Sequence, residues 1–245
     1  MKVGSITTDI IKNGLVFNMD AANRASTIPS TSTDKTFNTI DTSISGTFAA
    51  DAQYDSSTTP PSFAFDGTGD SIDIGSPTII QNLTSQIAIG FWIKASRTFS
   101  TNYYTPISKG EYASVGSQWS VKVNTANARN SSGGSFSTFS AANAIDGREN
   151  LNFPTPVDDN QWHYMVFIND STDLKIYLDG QIEATGAGQG STLYNGNSTL
   201  RLGKLTSSNV GLLNGNLGLV HIYNRALSAS EVLHNYNALK GRFGL

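Results

Sequence analysis

The chain of 245 residues contains no cysteine. That absence excludes a disulfide framework, thiolate metal sites and cysteine nucleophiles. Charge is scarce as well: 14% of residues are charged, against roughly 25% in an average domain. The net charge of -3 offers no electrostatic footprint for nucleic acid. No apolar run approaches the ~18 residues of a membrane span, so no membrane insertion is expected. The opening residues, Met1 to Asp9, carry one lysine and no apolar core, unlike a secretory signal.

Ser, Thr, Asn and 23 glycines take the place of the missing charge. Among them runs a period-two alternation. Ile87, Ile89, Phe91 and Ile93 interleave with Ala88, Gly90, Trp92 and Lys94, which predicts a strand with one buried face. Trp162–Asn169 and Asp173–Asp179 read the same way, and Asp179-Gly180 is a tight-turn signal into Gln181–Ala184. Further strands are expected at Leu15–Met19, Phe63–Phe65, Ser71–Ile74, Trp119–Val123, Thr199–Leu202 and Leu217–Tyr223. Many short strands between Gly- and Asn-rich turns predict an all-β, two-sheet antiparallel jelly-roll sandwich.

One helix stands out. Ser228-Ala229-Ser230-Glu231 is a capping box. Val232, Leu233, Tyr236 and Leu239 follow as an apolar stripe, and Gly241 is the expected stop. Residues 21–61 and 124–156 lack periodicity and exceed the ~12–15 residues of a structureless connection. Each is therefore expected to hold short strands or a functional loop.

Four blocks, in order, resemble laminin G-like domains of the concanavalin A-like superfamily. They are Phe65–Ile72 with Ile89–Lys94, Trp162-His163-Tyr164, Ile176–Gly180, and Leu217–Ser228. Gly14–Asn23 is similar to forms of this domain in bacteriophage structural proteins of the cyanophage type. The resemblance implies a jelly roll over residues 14–239, a 1–13 N-terminal arm and a 240–245 C-terminal tail. It also implies glycan or protein binding and, in some members, a structural calcium. Gly218 and Leu219 stand where the family often has an acidic pair, so two hard oxygen ligands are missing. Asp66 and Asp70 remain a weak calcium pair; their plainer role is to cap the Gly67–Gly69 turn. No cofactor is otherwise expected.

Enzymatic readings fare poorly. Retaining glycoside hydrolysis needs two carboxyls about 5–5.5 Å apart, best supplied at i and i+2 of a strand. The glutamates are Glu111, Glu149, Glu183 and Glu231, and none has an acid two residues away. His163, His221 and His234 form no metal-ligand pair, and no Gly-x-Ser-x-Gly elbow exists. Trp92 and Trp162 fall inside strand motifs and read as scaffold. Candidate glycan contacts are Tyr103, Tyr104, Tyr112, Trp119, Phe136, Phe139 and Tyr194.

The expectation is a non-enzymatic recognition or assembly protein of a virion, assembled in the host cytoplasm as a decoration, fibre or tail-associated component. Its partners would be virion proteins, copies of itself or host-surface glycans. The alternative is an extracellular bacterial carbohydrate-binding module, with glycosidase a distant third. Ile6, Ile10 and Ile11, with Arg242 and Phe243, are the expected assembly anchors on the two arms.

Overall fold

The computed structural model describes residues 9–26, 35–96, 103–110, 117–123, 133–139, 148–187, 193–205 and 211–245. The chain begins with β1 (Leu15–Asp20) and three short strands, β2 (Lys35–Phe37), β3 (Ser45–Ala49) and β4 (Gln53–Asp55). Next come β5 (Ser62–Asp66), β6 (Ser71–Gly75), one turn of helix α1 (Thr78–Gln81) and the long β7 (Ile87–Ser96). Then β8 (Ile107–Lys109), β9 (Trp119–Val123), β10 (Gly134–Phe139) and β11 (Arg148–Phe153) run in succession. The last strands are β12 (Asp159–Asn169), β13 (Asp173–Leu178), β14 (Gln181–Ala187), β15 (Leu200–Leu202) and β16 (Asn214–Tyr223). Helix α2 (Ala229–Leu239) and a 3-10 turn, Lys240–Phe243, close the chain.

The strands form two antiparallel sheets. In the first the order is β14-β13-β12-β7-β16-β5-β4, with β1 also paired to β16. In the second it is β11-β10-β9-β8-β15-β6-β3-β2. The two-sheet sandwich with a C-terminal helix is the expected fold. The unpatterned regions do hold short strands, β2 to β4 in one and β10 and β11 in the other. Asp179 (φ 50) and Gly180 (φ 81) make the left-handed turn between β13 and β14.

One expectation needs correction. The first sheet is buried on both faces, not one. Ile87, Ile89, Phe91 and Ile93 face the core between the sheets, with Met165, Phe167, Val220 and Ile222. Ala88 and Trp92 face a second cluster with Trp162, Tyr164, Val166, Tyr223, Val232 and Phe243. Helix α2 and the C-terminal turn cover that outer face. A register shift between Leu217 and Leu219 inverts the alternation in β16, so Leu217 joins the inner cluster and Leu219 the outer one. Phe243 stacks on Trp92 (4.1 Å, 6°) and meets Trp162 edge-on (4.9 Å). A Cβ at Gly218 would lie 2.4 Å from the Phe243 ring; glycine there admits the ring.

The capping box forms as expected. Ser228 Oγ accepts from the Glu231 amide (3.3 Å), and the Ser228 amide donates to Glu231 Oε2 (2.9 Å). Arg225 grips the same carboxylate with two N–H groups (2.9 and 2.7 Å), and this holds Glu231 down at about 2. Of the expected stripe, Val232 is buried and Leu233 is 38% exposed; Asn235 takes the second buried position. Gly241 does not end the helix. The chain tightens into the 3-10 turn and stops at Gly244 (φ 83). Ser228→Ala is expected to cost about 0.5–2 kcal/mol by loss of the cap. A denaturation midpoint equal to that of the unaltered protein would contradict this.

Candidate functional site

In β9, Trp119, Val121 and Val123 point into the core, so Ser120 and Lys122 point outward. Strand register then builds a polar row across the outer face of the second sheet. Asn150 lies opposite Ser137, Ser137 opposite Ser120, and Ser120 opposite Ser108. Ser108 lies opposite Arg201, and Arg201 opposite Asp73. A second row runs Asn152, Ser135, Lys122.

Hydrogen bonds fix these groups. Ser137 Oγ donates to Asn150 Oδ1 (2.7 Å), and Asn150 Nδ2 donates to Asn152 Oδ1 (2.7 Å). Arg201 Nε donates to Asp73 Oδ1 (2.8 Å). Ser108 and Ser120 are buried, whereas Asn150 and Lys122 are half-buried and Asn152 is exposed. Lys122 Nζ sits over the Tyr103 ring, 4.6 Å from its centre. Asn150, Asn152, Lys122 and Tyr103 therefore present amides, an ammonium and one half-exposed ring. Such a set offers hydrogen bonds to hydroxyl groups and a face for stacking. The two rows contain one carboxylate, Asp73, and Arg201 holds it.

Of the expected glycan contacts, Tyr103 joins this patch. Tyr104, Trp119 and Phe136 are corrected: all three have no exposed surface and belong to the inner core. Tyr104 donates its hydroxyl to Ser96 O (2.7 Å), and Phe136 packs on Phe167. A buried ring cannot meet a glycan. Phe139 ends β10. Tyr194 is half-buried in the segment held by Lys109 Nζ, which donates to Gly196 O (3.0 Å) and Ser198 O (2.7 Å). That segment is tied to the far end of β8 from Tyr103. Tyr112 and Ile6 lie outside the described residues. Asn150, Asn152 and Lys122 were missed because polar residues alternating along a strand read first as solvated positions.

The proposed calcium pair is occupied otherwise. Asp70 is buried, accepts from the amides of Asp51 (2.9 Å) and Asp66 (2.7 Å), and has its affinity for a proton raised by burial. Asp66 accepts from the Thr68 amide (2.6 Å). Both cap the turn. Among the described residues no group of three or more His, Asp or Glu side chains is placed to hold a metal.

Three expected anchors also change role. The Ile11 amide donates to Asn235 Oδ1 (2.8 Å), and its carbonyl accepts from the Tyr223 hydroxyl (2.9 Å). Arg242 grips Asp20 (2.8 Å), and Phe243 is buried. These contacts bind the chain's own ends to the sandwich. The tail from Lys240 to Phe243 is part of the folded unit. Ile10 is half-buried beside a surface cavity.

His163 carries the pH-sensitive contact. Burial works against its charged form, but Asp179 (2.9 Å, on Nδ1) and Asp159 (3.2 Å, on Nε2) outweigh it and hold the ring above its usual range. A raised histidine adds stability below its unfolded value of about 6.5, and the contribution disappears as pH rises through the folded value. The urea midpoint should therefore fall as pH rises above about 6.5. His163→Gln should lose that dependence; an unchanged profile in the variant would contradict the assignment.

The sequence profile of the concanavalin A-like lectin/glucanases superfamily matches residues 66–233, more than half of the chain. The chain belongs to that superfamily. No curated protein sequence matches it. Among solved structures, it is similar to the binding domain of Paraclostridial Mosquitocidal Protein 1 (TM-score 0.69, 16% identity), covering 92% of this chain and 52% of that one. It is also similar to a botulinum neurotoxin type C structure whose cell entry depends on two ganglioside molecules (TM-score 0.67, 16% identity, 92% and 51% covered). The third is domain 4 of AbnA, an extracellular arabinanase of Geobacillus stearothermophilus, in complex with arabinotriose (TM-score 0.65, 13% identity, 91% and 98% covered). The chain spans about half the length of the toxin chains and almost all of the arabinanase domain. At these identities the likeness establishes a shared jelly roll.

Proposed function

We propose that this concanavalin A-like domain recognises carbohydrate and does not cleave it. The patch around Asn150, Asn152, Lys122 and Tyr103 carries the reading, because it pairs hydroxyl-binding groups with one ring and no free carboxylate pair. Hydrolysis by retention needs two such groups close together; Asp73 alone, neutralised by Arg201, does not meet that need. The arabinotriose complex of the similar arabinanase domain supports binding as the role of this architecture. With Tyr103 the one half-exposed ring among the described residues of the patch, affinity at one site is weak, about millimolar.

A glycan panel that includes arabinotriose tests this. A ligand that binds the protein should lose binding about tenfold with Asn150→Ala or Tyr103→Ala, at 1.4 kcal/mol per factor of ten. No reducing ends should be released from any substrate. Turnover abolished by one Asp or Glu substitution would overturn the reading.

Weak sites work best in number: linking them raises avidity by roughly 10²–10⁴. The second half of the proposal is therefore a repeated display, on a particle among virion proteins or copies of itself. The similarity of Gly14–Asn23 to forms of this domain in bacteriophage structural proteins supports it. Mass spectrometry of purified particles tests the setting, and absence of the protein there removes it.

A further inference from the structure

On the other side of the sandwich, β1, the segment after β2 and the end of α2 enclose a cleft of about 970 Å³. Asn18, Asp20, Thr39, Ile40, Leu219 and Arg242 line it. Its volume falls within the range of ~300–1,000 Å³ typical of small-molecule sites.

The polar groups here are incompletely satisfied. Asn18 is 8% exposed; its Nδ2 donates to Thr39 Oγ1 (2.9 Å), while its Oδ1 has no partner. Arg242 spends Nη1 on Asp20, while its Nε and Nη2 are buried without an acceptor. Three of the eight orphaned buried side-chain atoms among the described residues thus belong to two residues of one cleft. Buried polar groups are normally paired, so such a concentration calls for a partner.

The charges identify its class. Arg242 is matched by Asp20, and Lys12 at the rim by Asp9 (2.6 Å), so the cleft demands neither an anion nor a cation. It needs acceptors for two guanidinium nitrogens and a donor for one amide oxygen, and a hydroxyl serves as both. Ile40, 49% exposed, supplies apolar surface for C–H groups. A peptide is the poorer fit, because the β1 edge is sealed. The Asn18 amide donates to Asn38 Oδ1 (2.8 Å), Asn38 Nδ2 donates to Val16 O (3.3 Å), and the Thr39 amide donates to Asn18 O (2.9 Å). No ladder of backbone groups remains there for an added strand.

We propose that this cleft is a second ligand site, separate from the outer face of the second sheet, and that it takes a neutral saccharide of a few rings. The guanidinium edge of Arg242 and the amide oxygen of Asn18 bind its hydroxyls, and Ile40 packs against its ring.

The test is an amide chemical-shift titration of the full chain with maltotriose and cellotriose. With at least one of them, saturable shifts should cluster at Asp20, Thr39, Ile40, Ala238 and Arg242, away from Asn150 and Lys122. Ile40→Arg, at an exposed position, should abolish them with an unchanged melting temperature. Arg242→Lys keeps the charge opposite Asp20 but loses the orphaned N–H groups, and should weaken binding about tenfold. Absence of shifts with both sugars overturns the site, as does binding that survives Ile40→Arg. Shifts produced by an uncharged tetrapeptide or by inorganic phosphate, and by neither sugar, overturn the ligand class. Loss of binding at the outer face leaves these outcomes readable, since the two sites report through different amides.

Discussion

Phe243→Ala is expected to destabilise the protein by about 3–5 kcal/mol, the range for removing a buried aromatic ring. That is a large share of a domain's typical total of ~5–15 kcal/mol. The ring is 5% exposed, lies flat on Trp92 and abuts Trp162. Its loss opens a void against two tryptophans and over Gly218, in a place where neighbouring strands are too constrained to collapse. Phe243→Leu should cost distinctly less, since it keeps most of the apolar volume. Equilibrium unfolding in urea measures both. If Phe243→Ala unfolds at the same midpoint as the unaltered protein, the last residues are a frayed end and the outer cluster closes without them.

Gly90→Ala should be nearly as damaging, for the opposite reason. Gly90 is in the middle of β7, opposite His221 of β16. A Cβ there would lie 2.0 Å from His221 Nε2 and 3.1 Å from the Tyr164 hydroxyl. His221 has no exposed surface, Nε2 bonds the Tyr164 hydroxyl (2.8 Å), and burial pushes its pKa down to about 3. The neutral ring has nowhere to move. Overpacking of this kind costs about 1–3 kcal/mol or more, and the upper end applies here. The cause is testable by compensation: the Gly90→Ala/His221→Ala double variant should be no less stable than His221→Ala alone. Additive losses would show that strand conformation, not collision with the imidazole, makes glycine necessary.

The parts of the fold that were legible share one property: a local signal long enough to repeat. β7 and β12 run for ten and eleven residues and contain the patterned stretches 87–94 and 162–169, Asp179-Gly180 carries its own turn geometry, and Ser228 and Glu231 form a self-contained cap. Of the four three-residue strands among the described residues, β15 was legible from Thr199–Leu202, while β2, β4 and β8 carried no pattern to detect. Tyr104 and Phe136 misled because Ser, Thr and Gly surround them, which resembles a loop. Their burial is decided by partners distant in sequence, since Phe136 lies opposite Val121 and Leu151.

The same limit governed the outer cluster and the proposed patch. Lys240-Gly241-Arg242-Phe243 has no periodicity, and its place is set by a gap over Gly218 that becomes visible after folding. Gly218, read from the family pattern as a missing calcium ligand, is instead the floor under Phe243. Asn150, Lys122 and Tyr103 come from three separate stretches of chain, and strand register alone brings them to one face.

Amide chemical-shift mapping with a glycan that binds, arabinotriose being the first choice, tests the central claim most directly. Recognition at the outer face of the second sheet predicts saturable shifts at Tyr103, Lys122, Ser135, Asn150 and Asn152 that weaken about tenfold in Asn150→Ala, with the sugar recovered intact. Shifts confined elsewhere, or conversion of the sugar during the titration, would contradict it.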